Sequence, residues 1–250
     1  MKTKSLSALL GCALLASSAA YADIYDDAVA NSARSKKDRT VDERRKPEQV
    51  MRFFEIQPSM KVLDVFAGGG YYSELMSYVV GERGHVTMYN NQPWQQFVKK
   101  AVDERLKDNR LQNVSTLIVK PEELAGVKEQ FDAAIFVLGM HDLYYEDSEN
   151  GWPKIDRAKF LQGIYSKLKS GAVFGVIDAN AKTGVDNAVI GKTIHRVDPA
   201  AVIKDIKAVG FVLEAQGEFL GNAKDDLTTS VFLPENRYNT DRSVLKFRKP

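Results

Sequence analysis

The stretch KVLDVFAGGGYYSELM, residues 61–76, constrains this chain more than any other. An apolar run carrying a single aspartate, Asp64, ends at Phe66; Ala67, Gly68, Gly69 and Gly70 follow, and a segment of helical character opens behind them. A strand that runs into a glycine bend and then a helix is the opening of an α/β unit. Glycine accepts the positive φ that such a bend needs, and it lets backbone or ligand approach without a Cβ collision. Asp64 is costly to bury in an apolar strand unless it accepts hydrogen bonds from the bend or from a ligand.

The pattern beyond this opening is regular. Strands are expected at 61–66, 85–89, 114–119, 131–138, 172–178, 211–215 and 244–248. Helices are expected at 72–80, 94–107 and 155–169, the last ended by Ser170-Gly171, and over 198–209 behind Asp198-Pro199. The helix 94–107 carries Phe97, Val98, Ala101, Val102 and Leu106 at helical spacing, and a short helix opened by Pro47 sets Val50, Phe53 and Phe54 on one side. The polar segment 222–243 reads as a long loop holding a short strand at 230–233. Alternating strands and helices imply an α/β domain with a mostly parallel sheet covered on both faces. One domain, 47–250, follows a polar, partly helical extension over 23–46.

Composition matters most at the N-terminus. Lys2 and Lys4 precede the apolar run LSALLGCALLASSAA, which ends in Ala20-Tyr21-Ala22. This is the build of a secretory signal peptide cleaved after Ala22, so export to the periplasm or the exterior is expected. A retained anchor helix, or a lipoprotein modified at Cys12, are the weaker alternatives. Cys12 is the only cysteine, so the mature chain has no thiol for a disulfide or a metal. Removing residues 1–22 leaves 33 basic and 33 acidic side chains. Balanced charge gives no argument for nucleic acid, and the mixed-sign run RSKKDRTVDERRKP at 34–47 reads as a solvated face. No later apolar run is long enough to span a membrane.

In a sheet of this kind, ligands bind beyond the carboxyl ends of the strands, where the order reverses. The glycine bend lies at that edge, and the amides of the helix behind it suit a carboxylate or phosphate. There the stretch VLDVFAGGGYYS resembles the first motif of the class I S-adenosylmethionine-dependent methyltransferases. FDAAIFVLGMHDL (131–143) is similar to their fourth-strand motif, and LKSGAVFGVIDAN (168–180) to the strand that follows. The resemblance covers about residues 47–250 and looks closest to predicted methyltransferases exported with signal peptides. It implies a Rossmann-like, seven-stranded fold and S-adenosyl-L-methionine as cofactor, held by Asp64, Phe66, Ala67, Gly68, Gly69, Gly70 and Tyr71. Asn90 and Asn91 stand where the family has a ribose-binding acid, and Glu122 lies near its adenine position. The familiar Asn/Asp-Pro-Pro-Tyr stretch is absent, which argues against the amino-methylating nucleic-acid enzymes; the acceptor is expected to be a small molecule.

Methyl transfer to a hydroxyl needs a positioned group to take its proton. His141 and Asp142 follow the fourth strand and His195 follows the fifth, so all three are candidate catalytic residues at the pocket edge; His85 starts a strand at the opposite edge and reads as structural. Asp142, Asp178 and Asn180 also offer oxygens for a divalent cation, but their spacing is not a clean pair and no metal is expected. The run YYEDSEN, 144–150, reads as a solvated loop, and Trp94 either stacks on a base or anchors the start of its helix. Two other classes stay open: a binding protein that keeps the fold without catalysis, and a dinucleotide oxidoreductase. The second is weak because Ser73 stands at the third glycine position of its fingerprint.

Overall fold

A computed structural model describes residues 24–250. The proposed signal segment and its cleavage point lie outside the described residues. The polar extension forms three short helices, α1 (24–30), α2 (Lys36–Arg39) and α3 (Asp42–Arg45), and α4 (Pro47–Phe53) leads to the sheet. The opening unit is β1 (Lys61–Val65), the glycine bend and α5 (Tyr71–Val80), with Gly81 closing the helix. After β2 (His85–Asn90), α6 (Gln92–Leu106), β3 (Val114–Ile118) and β4 (Phe131–Val137) come α7 (Arg157–Lys167) and β5 (Leu168–Ala179). Then follow α8 (Asn187–Ile194), α9 (Pro199–Ala208), β6 (Val212–Gly217) and β7 (Arg242–Arg248).

The seven strands stand in the order β3-β2-β1-β4-β5-β7-β6. The first five are mutually parallel, and β7 runs antiparallel between β5 and β6. The chain order reverses between β1 and β4, so the edge beyond Val65 and Val137 is the switch point where such sheets take ligands. Strand period two sorts the core. Leu63, Val65, Ala134 and Phe136 pack with Phe160, Ile164 and Ile206 of α7 and α9, while Val62, Ala133 and Ile135 pack with Val50, Leu75 and Val79 of α4 and α5.

Four expectations are corrected. Ser170-Gly171 does not stop a helix: α7 ends at Lys167 and β5 has already begun, with Gly171 at φ 79° in a bulge between the Phe131–Leu168 and Ala133–Val173 pairs. The segment 230–233 forms turns rather than a strand; Val231 donates its amide to Ile194 O at 3.2 Å instead of to a strand. The apolar set on α6 is largely outside, with Phe97 76% exposed and only Val102 buried. Finally, α8 occupies a region where no helix was expected.

The extension lies against the start of α5. Asp42 pairs with Arg34 at 2.7 Å and accepts the Tyr71 hydroxyl at 2.5 Å, and Arg45 stacks 3.9 Å from the centre of the Tyr71 ring. Asp38 pairs with Arg105 at 2.9 Å, which ties the extension to α6.

Candidate functional site

The bend after β1 has an inner and an outer side. Phe66, Gly68 and Gly70 take positive φ values of 48°, 58° and 80°. Phe66 holds this conformation because its ring stacks on Phe160, with centroids 5.3 Å apart, in the aromatic core. A Cβ on Gly70 would stand 2.6 Å from Met88 Cε and 2.8 Å from Arg105 Cδ, and one on Gly69 would stand 3.0 Å from Ala101 Cβ. Arg105 Nε donates to the Gly69 carbonyl, and its guanidinium pairs with buried Glu74. The inner side is therefore closed by the chain itself. A Cβ on Gly68, in contrast, would meet nothing within 4 Å. That outer side is open.

The sequence-predicted cofactor residues divide accordingly. Asp64 is buried, and its Oδ2 accepts the Ser73 hydroxyl at 2.5 Å; burial, opposed by Ser73 and by the Arg45 and Arg105 charges, pushes its carboxyl up to about 7. Asn90 turns its whole amide to the bend, accepting from Gly68 N at 3.0 Å and donating to Gly68 O at 3.1 Å. It shapes the bend rather than standing free at the ribose position. Asn91 caps α6 through Trp94 N at 3.0 Å. Phe66 is core, Tyr71 is held by Asp42 and Arg45, and Glu122 stays exposed on the turn 121–126. Ala67 donates its amide to Tyr89 O at 3.0 Å. Among the three glycines of the bend, Gly68 is the one where an added Cβ would meet nothing within 4 Å.

The second half of the site forms after β4 and β5. Leu138, at φ 58°, turns the chain into a 3₁₀ turn, Met140–Leu143, that buries His141 and Asp142. Asp178, near the end of β5, grips His141 twice: it accepts the backbone N–H at 2.9 Å, and both its oxygens lie 3.0 Å from Nδ1. The other ring nitrogen, Nε2, faces His195 Nδ1 at 3.3 Å and Asp142 Oδ1 at 3.4 Å. His195 reaches this place from the left-handed C-cap of α8, at φ 56°. Burial opposes charge on His141, but Asp178 and Asp142 outweigh it and hold the imidazole up at about 9. Burial, then the neighbouring His141 charge, pushes His195 down to about 4. Burial also raises the Asp142 carboxyl.

Aromatic side chains join the two halves. Trp152 lies edge-on to Phe66 at 6.4 Å and to Trp94 at 6.1 Å, donates to Asp142 O at 3.3 Å, and stacks on Tyr145. Tyr145 in turn donates to Asp142 Oδ1 at 3.0 Å. Trp94 packs on the core as an anchor; among the described residues its Nε1 and Asp142 Oδ2 complete no hydrogen bond within 3.5 Å, but the indole lies near enough to the Asp142 carboxyl to oppose the effect of burial. The solvated reading of 144–150 is corrected: the acids face out, but both tyrosines are anchored, Tyr144 through Asp205 at 2.8 Å. Sequence reasoning also missed Arg196, fully buried beside His195, which pairs with Asp225 at 2.8 and 2.9 Å and holds the 222–243 loop in place. Its only local signal was a charge next to a candidate histidine. Phe232 from that loop lies 4.6 Å from His195, ring to ring. His85, as expected, is remote and bonds Ser115 at 2.7 Å. A separate polar cleft of 310 Å³, walled by Glu43, Lys46, Leu220, Asn222 and Arg242 among others, includes neither Gly68 nor His141.

Known proteins place this geometry. A methyltransferase from Aquifex aeolicus described as dependent on S-adenosylmethionine superposes with a TM-score of 0.57 at 19% identity, over 85% of this chain and 95% of that one. The fold is that of the class I S-adenosylmethionine-dependent methyltransferases. A putative sarcosine dimethylglycine methyltransferase from Galdieria sulphuraria gives 0.55 at 16% identity, over 84% of this chain and 85% of that one. Aeropyrum pernix fibrillarin, solved with natively bound S-adenosyl-L-methionine, gives 0.50 at 12%, over 77% and 67%. The profile of the protein-L-isoaspartate(D-aspartate) O-methyltransferase family matches residues 18–136. No curated protein sequence matches significantly. The profile match covers fewer than half of the residues, and the solved structures share the fold. The open outer side of Gly68 leaves room for S-adenosylmethionine; the inner side of the bend does not take part.

Proposed function

We propose that the protein is an exported S-adenosylmethionine-dependent methyltransferase that acts on a small acceptor beside His141, Asp142 and His195. One observation carries this reading. Gly68, with open space beside it, follows β1, and buried His141 and Asp142, with His195 3.3 Å from His141, follow β4 and β5, so both stand at the same edge of the sheet.

When bound, the cofactor supplies a methyl group on an electrophilic sulfonium. The chain supplies position. Gly68 leaves room, and Asn91, by capping α6, fixes where the Trp94 indole stands. Asp142 Oδ2 accepts a hydrogen bond from the acceptor's hydroxyl, thiol or amine and so orients its lone pair. Phe232 and the 222–243 loop cover His195 and restrict the approach, which suits a small acceptor better than a polymer. Balanced charge in the mature chain agrees. Export rests on the basic, apolar and A-x-A order of residues 1–22. Among the described residues, no helix is long and apolar enough to cross a membrane.

The commitment of Asn90 to Gly68 favours a second reading, a nucleoside-binding protein without transferase activity. Calorimetry on the mature chain tests the first. S-adenosylmethionine and S-adenosylhomocysteine are expected to bind with micromolar Kd, about −8 kcal/mol. Gly68→Val, which fills the open side, is expected to weaken both at least tenfold. No binding of either compound overturns the enzymatic reading.

A further inference from the structure

We infer that His141 Nε2, His195 Nδ1 and an Asp142 carboxylate oxygen form a site for one divalent transition-metal ion of the zinc class. The donor atoms of these three side chains lie within 4.8 Å of one another. Their separations are informative. His141 Nε2 stands 3.3 Å from His195 Nδ1 and 3.4 Å from Asp142 Oδ1. Two ligands on a tetrahedral ion, each about 2.0–2.1 Å from it, stand about 3.3 Å apart. A proton shared between the two imidazoles accounts for one of these contacts. It leaves the third donor converging on the same point.

The surroundings are those of a metal ligand set. Asp178 engages His141 Nδ1 with both oxygens at 3.0 Å, so Nδ1 keeps a proton and Nε2 is the ring nitrogen left facing the cluster. A carboxylate behind a ligating histidine is the common outer partner of such sites. Tyr145 fixes Asp142 by donating to Oδ1 at 3.0 Å. Asp142 Oδ1 stands 3.4 Å from His141 Nε2, and the whole carboxyl is buried. Two imidazoles and one carboxylate suit zinc or a neighbouring first-row ion, whereas calcium and magnesium take oxygen shells. Three protein ligands leave a position for an exogenous oxygen or sulfur. The ion's use there, to bind an acceptor and ease loss of its proton, rests on the methyl-transfer reading above. The site itself does not.

The test reads metal alone. Untagged mature protein, stripped with chelator, is titrated with Zn²⁺ by calorimetry and with Co²⁺ by visible absorption. One equivalent is expected to bind, and Co²⁺ is expected to show the intense d–d bands of low-coordinate nitrogen and oxygen ligation. Asp142→Asn and His195→Asn, the latter able to keep the left-handed backbone, are expected to weaken Zn²⁺ at least 100-fold. Asp178→Asn should weaken it about 10–100-fold. His85→Gln, at the far edge, should bind as the wild type does. Circular dichroism checks that each variant is folded. Absence of stoichiometric Zn²⁺ or of the Co²⁺ bands in the wild type overturns the inference whatever the variants do, as does unchanged binding in folded Asp142→Asn. Failure of S-adenosylmethionine to bind while Zn²⁺ binds would remove the transferase reading and keep the metal site.

Discussion

Gly68 and Gly70 are two residues apart in one bend, and alanine at each should do different damage. At Gly68, φ is 58° and an added methyl meets nothing within 4 Å. Only the left-handed backbone is penalised, at about 1–2 kcal/mol. At Gly70, φ is 80°, and the methyl would stand 2.6 Å from Met88 Cε and 2.8 Å from Arg105 Cδ. Met88 is buried but ends in a flexible methyl. Arg105 cannot retreat so easily, because the Gly69 carbonyl, Glu74 and Asp38 all hold it. Overpacking of this kind adds about 1–3 kcal/mol. Gly70→Ala should therefore lose about 2–5 kcal/mol, and Gly68→Ala about 1–2. For a chain of this size that is a Tm drop of roughly 2–4 °C per kcal/mol. Thermal and urea unfolding of both variants beside the wild type decide the matter. Equal losses, or a larger loss at Gly68, would refute the claim that the bend is closed within and open without.

Asp64→Asn should change how stability depends on pH. The folded carboxyl sits at about 7 and an ordinary one near 3.8, so the native state holds a proton that the unfolded chain releases. Stability from this group is thus highest below the unfolded value and falls by about 1.4 kcal/mol per unit as pH rises towards 7. Urea unfolding at pH 4.5 and 7.5 should show the asparagine variant gaining on the wild type by about 3 kcal/mol between the two; a constant difference would contradict this. Arg196→Met leaves Asp225 buried and unpaired and should cost about 3–5 kcal/mol. Early proteolytic cutting within 222–243 should accompany the loss, and a cost below about 1 kcal/mol with an uncut loop would count against the strut role.

The sheet was legible because its strands are short apolar runs between breakers, and period two then placed Leu63 and Val65 opposite Val62. Legibility failed where exposure and partners decide. LKSG looks like a helix stop because its lysine and serine point outward, yet hydrogen bonds of Gly171 and Lys249 draw it into β5. The pattern on α6 was true, but nothing packs over Phe97. Residues 187–194 carry four β-branched positions (Val189, Ile190, Thr193 and Ile194) and a glycine, too weak a helix signal to notice before Asp186 is seen capping them. In the site, strand polarity brought His141, Asp142 and His195 to one edge. The role of Asn90 was misjudged because its partner is a backbone 22 residues away, and Asp178 behind His141 is a contact across 37 residues.

The central claim is that a nucleoside-bearing sulfonium ligand lies against the outer face of Gly68 and reaches the indole N–H of Trp94. A crystal structure of the mature protein grown with S-adenosylhomocysteine tests it most directly. The account predicts the ligand in van der Waals contact with Gly68 Cα, with a polar atom within hydrogen-bond distance of Trp94 Nε1. A ligand bound elsewhere, with the Gly68 face covered by protein side chains, would contradict it.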